Sequence, residues 1–361
     1  MDAAELGFPN PPADQPQWLS LVQAVFNDQT DVWDPDTCHG GMRWQIFPYN
    51  IGYDYKNVGA NGGYFHLAAR LARYTANQTY ADYAERMWNW VDGTSIFLKS
   101  PDNTTIQVWD GIHVVNCSEP TRASFTYNSA MLVAGAAYMY NFTNGDAKWQ
   151  GRLQALLNGM DEYFVVASNT PAAPHKQAPI NGTILCDPIV EFAPTDNQDQ
   201  PSFKAYTSRW LAVTSQLAPF TEPWIRTRIH DSAIGAAKQC LGSATNQEPG
   251  TVCGRQWYST TWDGYYGLGE QMSALSVFQS LLIGQTEAPL TLATGAKSQG
   301  DGGGGGYGGG RLISSSIFAG NWHDPALDKI INIGDKAGAG LVTILSVSLV
   351  CATLRWIISA E

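Results

Sequence analysis

Residues 125–160 read FTYNSAMLVAGAAYMYNFTNGDAKWQGRLQALLNGM. An aromatic, Asn-bearing opening leads into small apolar residues over 131–140, a polar tetrad follows at 143–146, and the chain returns along a second amphipathic segment. That pattern predicts two antiparallel helices joined by a tight turn. Residues 52–90, GYDYKNVGANGGYFHLAARLARYTANQTYADYAERMWNW, repeat the plan, with the small-residue helix expected over 67–74. Val133, Ala134, Gly135, Ala136 and Ala137 leave no polar face, so the first helix of each pair is an inner one, enclosed on most sides. In the return segment 80–90, Asp82, Glu85 and Arg86 interrupt the apolar residues and mark an outer helix with one wet face. A recurring hairpin buries its apolar side only by stacking on its neighbours, so the sequence predicts an all-α array of helical hairpins. The loops entering the inner helices, 53–63 and 124–129, then gather at one end and form a cleft floored by helix N-termini and walled by aromatic rings.

The rest of the chain extends the array. Segment 203–217 reads as another inner helix with Lys204 and Arg209 near its mouth, 224–240 as its outer partner, and 270–282 as a last inner helix. Segments 106–109 and 113–115 are strand-like, and Gly40 and Gly41 permit turns closed to other residues. Residues 1–6 read as the end of a helix that starts before the chain does, and 18–27 as the outer partner of that helix. The first hairpins are therefore expected to be missing, and the array incomplete. The 361 residues divide into an expected helical domain over 1–286, a Gly-rich linker and polar spacer over 287–336, and an apolar segment over 337–361. The glycine tract at 300–310 lacks the Gly-Lys-Ser/Thr ending of a phosphate loop and reads as a flexible linker. The apolar run over 337–358, interrupted by Arg355, has the layout of a signal exchanged for a glycosylphosphatidylinositol anchor, with a retained transmembrane helix as the alternative.

Composition narrows the chemistry. A net charge of −11 argues against a nucleic-acid surface. The 13 Trp and 16 Tyr supply either a Trp-rich core or a surface on which rings stack against the C–H faces of pyranoses, and both readings stay open. Sequons at Asn77, Asn103, Asn116, Asn141 and Asn181 favour the secretory pathway, although the first residues carry no basic and apolar signal regions. Six cysteines without a C-x-x-C pair fit disulfides better than zinc. Cys38 with Cys117 and Cys240 with Cys253 are the expected bridges, leaving Cys186 unpaired and Cys351 in the tail. Neither an H-E-x-x-H nor a G-x-S-x-G motif occurs, so no metal or cofactor is expected, and the chain is expected to act as a monomer.

Several motifs in order carry a family resemblance: Arg43-Trp44-Gln45, the loop from Tyr55-Lys56-Asn57-Val58 to Asn61, Ala68-Ala69-Arg70-Leu71, Asp110-Gly111, Phe125-Thr126-Tyr127-Asn128, Ser202-Phe203-Lys204-Ala205-Tyr206, Ser208-Arg209-Trp210 and Trp262-Asp263-Gly264. Over about residues 3–282 the chain resembles the fungal cell-wall branch of the glycoside hydrolase family 76 endo-α-1,6-mannanases. The resemblance implies an (α/α)6 toroid, secretion, a glycosylphosphatidylinositol anchor in the plasma membrane or wall, and hydrolysis or transfer of α-1,6-linked mannan. It also implies two adjacent aspartates on an inner helix, one nucleophile and one general acid/base, since a retaining mechanism needs carboxyls about 5 Å apart. No Asp-Asp dipeptide occurs in these 361 residues, and the family's pair is expected upstream of Met1. A second departure is at Cys186, whose family partner is replaced near Thr195-Asp196-Asn197.

The retained residues that could serve a sugar are Arg43, Trp44, Lys56, Asn57 and Asn61 in the first loop set, Tyr127 and Asn128 at the second inner helix, and Arg209, Trp210 and Trp262 further on. Asn57 and Asn61 either bind mannose hydroxyls or cap turns, and Asn128 is either an N-cap or a ligand. Asp110, Asp263 and Glu270 are candidate accessory carboxylates, with Asp110-Gly111 equally readable as a turn. A catalytically silent mannan-binding wall protein is the alternative to the enzyme.

Overall fold

In the computed structural model, which describes residues 1–168, 181–192, 197–243, 250 and 252–300, helices α1 (Asp2–Glu5) and α2 (Trp18–Asp31) lead into a first full hairpin, α3 (Val58–Thr75) and α4 (Gln78–Asp92). Asn57 starts α3 by accepting from the Ala60 N–H at 3.0 Å, and Asn77 starts α4 by accepting from Thr79 at 2.9 Å. Between them Ala76 takes a left-handed conformation, φ 53°, that turns the chain. The next hairpin is α5 (Thr126–Phe142) and α6 (Ala147–Gly159), whose turn uses Asn144 and Gly145 at positive φ and the Asp146 cap on Lys148 and Trp149. A short α7 (Pro188–Phe192) precedes α8 (Phe203–Leu217), α9 (Glu222–Gln239) and α10 (Leu268–Ser280). Helices α3, α5, α8 and α10 pack side by side in that order as an inner layer, with α4, α6 and α9 outside them. The class is all-α, as the hairpin recurrence predicts.

Helix α3 starts at Val58, well before the expected residue 67. Gly59, Gly62 and Gly63 lower helix propensity there, and close packing overrides them. A Cβ on Gly62 would lie 3.3 Å from the Met131 sulfur of α5, and one on Gly135 of α5 would lie 2.4 Å from the Phe65 ring. Phe65 in turn stacks on Trp149 at 5.9 Å, and Trp149 meets Trp88 edge-on at 5.5 Å. These buried tryptophans account for part of the aromatic content, and the groove described below accounts for another part.

Short strands decorate the helix ends. Strand β1 (Tyr55–Asn57) feeds α3; β2 (Phe97–Lys99) pairs with β3 (Ile106–Val108); β4 (Gly111–His113) lies between β1 and β5 (Asn116–Thr121); β6 (Phe164–Val165) pairs with β7 (Ile184–Leu185). All these pairs are antiparallel, and the strand expected at 113–115 runs instead over Gly111–His113, where it pairs with β1 and β5. Both expected disulfides, Cys38–Cys117 and Cys240–Cys253, are present, and Cys186 is a buried thiol.

The linker expected from residue 287 does not begin there. Residues 287–300 run back beneath the helix ends as a strap: Arg73 donates to the Pro289 carbonyl at 2.7 Å, Leu290 N–H to the Glu5 carbonyl at 2.8 Å, and Tyr74 to the Ser298 carbonyl at 3.0 Å. The glycine tract beyond residue 300, the polar spacer, the apolar 337–361 segment and Cys351 lie outside the described residues. Among the described residues no helix is long and apolar enough to cross a membrane.

Candidate functional site

The N-terminal ends of α3, α5 and α8 open on one groove of about 540 Å3. Strand β1 contributes Tyr55 and Asn57, the loop before it Trp44, the β3–β4 turn Asp110, α5 Phe125, Tyr127 and Met131, and α8 Phe203, Tyr206 and Trp210. Asp110 is held in place by three contacts. Its carboxylate accepts from the Tyr55 hydroxyl at 2.7 Å and from Asn128 Nδ2 at 2.8 Å, while its carbonyl accepts from the Val58 N–H at 2.8 Å. Gly111 is required beside it, because a Cβ there would meet the Lys56 carbonyl oxygen at 2.5 Å. Asp110-Gly111 is therefore the entry to a strand that presents a carboxylate to the groove.

Burial, reinforced by the Asp110 carboxylate, pushes the phenols of Tyr55 and Tyr127 well above their ordinary range, so both remain protonated. Tyr127 and Phe203 rings lie 4.2 Å apart, and Phe125 meets Phe203 edge-on at 5.4 Å. Trp44 is 51 % exposed with its ring edge-on to Tyr55 at 6.4 Å. With Asn197, Asp199 and Gln200 also lining it, the groove combines aromatic faces with two carboxylates, amides and hydroxyls. That mixture suits a hydroxylated ring with apolar C–H faces.

Of the residues singled out in the sequence, Trp44, Asn57, Asp110, Tyr127 and Trp210 line this groove, and Asn57 is at the same time the α3 cap. The others serve the fold. Lys56 is fully buried, and its ammonium donates to the carbonyls of Thr37 and Gly40 at 2.7 and 2.6 Å and pairs with Asp34 at 3.2 Å. Arg43 pairs with the same Asp34 at 2.9 Å and donates to the Tyr53 carbonyl. Asn61 is buried, exchanging hydrogen bonds with both backbone groups of Met42. Asn128 lies inside the first turn of α5, fully buried, so it is neither N-cap nor exposed ligand and reaches the groove only through Asp110.

Arg209 is exposed over the Tyr206 ring, and Trp262 packs across Gly242 near the Cys240–Cys253 loop. Neither lines the groove. Asp263 accepts the N–H groups of Arg255 and Gln256 and orders a turn, while buried Glu270 pairs with Arg255 at 2.5 Å, so neither carboxylate is presented to a substrate. Of the sequons, Asn77, Asn103, Asn116 and Asn181 are exposed; Asn141 instead has its amide engaged by Arg73 and the Leu217 carbonyl. Phe125, Phe203, Tyr206 and Met131 were not anticipated. The signal of the aromatic ones is positional: Phe125 and Tyr127 flank the first residue of α5, and Phe203 is the first residue of α8 with Tyr206 one turn on.

The arrangement defines a class, an α-helical hairpin array with an aromatic groove at its helix N-termini. The chain belongs to glycosyl hydrolase family 76, whose profile matches residues 1–293. It is 42% identical over 362 residues to mannan endo-1,6-alpha-mannosidase DCW1 of Saccharomyces cerevisiae, covering 99% of this chain and 72% of that protein. It is 39% identical to DFG5, of the same activity name and organism, over 99% of this chain and 71% of that protein. Among solved structures it is similar to Dfg5 from Chaetomium thermophilum in complex with glucosamine, with 40% identity, a TM-score of 0.68, and coverage of 83% of this chain and 69% of that one. An inactive variant of an α-1,6-mannanase from Salegentibacter sp. HEL1_6, two adjacent aspartates replaced by asparagine, bound to α-1,6-mannotriose, shares the fold. Its TM-score is 0.52 at 16% identity, over 72% of this chain and 68% of that one.

Proposed function

We propose that this chain forms the glycan groove of a mannan endo-1,6-α-mannosidase or transglycosidase that acts on α-1,6-linked mannan at the cell surface, in wall biogenesis. The observation that carries the reading is the groove itself, which the rings of Trp44, Tyr127, Phe203 and Trp210 line together with the clamped Asp110 carboxylate. The names of the relatives and the mannotriose complex of the Salegentibacter enzyme support it. Two disulfides and four exposed sequons support an extracellular setting, to which a C-terminal lipid anchor would add the membrane.

No two aspartates are adjacent in the sequence, so the reading assigns the groove to these residues and the catalytic pair elsewhere. The same fact favours a second reading, a mannan-binding wall protein without turnover. Calorimetry with linear α-1,6-mannotetraose, alongside an assay for shortened product, tests both. Binding without turnover by this chain is the expected result. Turnover would mean that Asp110 or another carboxylate of this chain catalyses, and absence of binding would remove mannan as the ligand.

A further inference from the structure

Neither α5 nor α8 is capped by its own sequence. The residues preceding their first turns, Phe125 and Ser202, make no side-chain capping bond. Both helix starts are instead tied to α7 and the residue before it. Asp187 Oδ2 accepts from the Thr126 N–H at 3.1 Å and from its hydroxyl at 2.9 Å. The Asp187 N–H donates to Glu191 Oε1 at 2.8 Å, and the same oxygen accepts from Lys204 Nζ of α8 at 2.8 Å. Lys204 continues to the Arg255 carbonyl, and Arg255 to Glu270 at the start of α10. Asp187 and Glu191 are 1% and 3% exposed, so bulk water does not substitute for these contacts.

Each tie sits next to a groove ring. Thr126 stands between Phe125 and Tyr127, and Lys204 follows Phe203. The separations of those rings, 4.2 Å for Tyr127–Phe203 and 5.4 Å for Phe125–Phe203, are therefore set where α5 and α8 are pinned to the same short segment.

We propose that Asp187 is a positioning residue of the groove: its carboxylate fixes the first turn of α5 through Thr126, against a segment whose Glu191 holds Lys204 of α8, and so sets the spacing of the rings that clasp the sugar. The claim rests on the glycan reading of the groove and adds a group that touches no ligand. A cap held in trans acts on the geometry of a wall as well as on stability, because the helix start can shift while the hydrophobic core holds.

The test uses the full chain with Asp187→Ala, Asp187→Asn and, as a milder probe, Thr126→Val, checked for folding by circular dichroism. Loss of a cap corresponds to about a tenfold change in a local opening equilibrium. Amide exchange read by mass spectrometry should therefore rise about tenfold in Asp187→Ala over the peptide spanning 125–131, and stay unchanged over 58–64 and over 203–209, whose tie runs through the Asp187 main-chain N–H. Affinity for α-1,6-mannotetraose should fall about tenfold in Asp187→Ala, about threefold in Thr126→Val, and return to within about threefold of wild type in Asp187→Asn, which keeps an acceptor for the Thr126 N–H. Wild-type exchange over 125–131 overturns the proposal, as does raised exchange with wild-type affinity. If Asp187→Ala does not fold, unchanged affinity in Thr126→Val overturns it. If the wild-type chain binds no mannan, the glycan reading fails and the exchange data still decide whether the Asp187 carboxylate pins the start of α5.

Discussion

At the scale of single residues, the loop before α3 separates groups that touch the groove from groups that hold it. Lys56 and Trp44 lie on the same loop system and read alike in sequence, as polar and aromatic neighbours in one motif. Lys56 is nevertheless buried among three carbonyls and Asp34, whereas Trp44 is half exposed and lines the groove. Replacing Lys56 with Met strands those acceptors in the interior, and urea unfolding should show a loss of about 3 kcal/mol. Trp44→Ala removes a half-exposed ring that fills no core space. Its stability should stay within about 0.5 kcal/mol of wild type while mannotetraose affinity drops about tenfold in calorimetry. A Trp44→Ala variant that unfolds earlier yet binds normally would reverse the two roles. Sequence alone did not separate them, because a motif records which residues recur, and burial depends on the fold around Asp34.

Between elements, the inner layer is set by close approaches that hydrophobic periodicity does not reveal. The α5 run was legible as inner because nothing polar interrupts it, but the early start of α3 was hidden by its glycines, which count against a helix in isolation and here make room for Met131. Gly135 makes the sharpest test. A methyl there would press on the Phe65 ring at 2.4 Å, and Phe65 is confined by Trp88 and Trp149. Gly135→Ala should destabilise by about 2–3 kcal/mol in urea despite its better helix propensity. An increase in stability would show that α3 and α5 have room to separate. Ala76, which turns α3 into α4 at φ 53°, works in the opposite sense. Ala76→Gly relieves the left-handed conformation at the cost of a more disordered unfolded chain, so a net gain of about 0.5 kcal/mol and a melting temperature higher by about 1–2 °C are expected.

Across the whole molecule, the strap at 287–300 and the Asp187 tie show what one-dimensional reading misses: both join helix ends through backbone and side-chain hydrogen bonds that leave no hydrophobic period. The hairpins, the groove end and the Cys240–Cys253 bridge were legible because each leaves a local pattern, whereas Cys38–Cys117 spans 79 residues and leaves none. Stability against pH is likewise a property of the whole, and two buried groups act on it with opposite signs. Burial, with a further push from Glu191, raises the Asp187 carboxyl to about 7. Its protonated form therefore favours the folded state below pH 4, and that contribution is lost as pH rises toward 7. Burial, with Arg70 nearby, lowers His66 to about 3. A histidine kept neutral in the fold weakens it as pH falls from the ordinary histidine range toward 3. In urea titrations from pH 4.5 to 6.5, the stability of Asp187→Asn should improve relative to wild type by about 1.4 kcal/mol per pH unit, while that of His66→Phe should decline relative to wild type at about the same slope. Parallel curves for all three proteins would mean that neither group changes its proton affinity on folding, and the ionised Asp187 would then have to be matched by its Thr126 contacts alone.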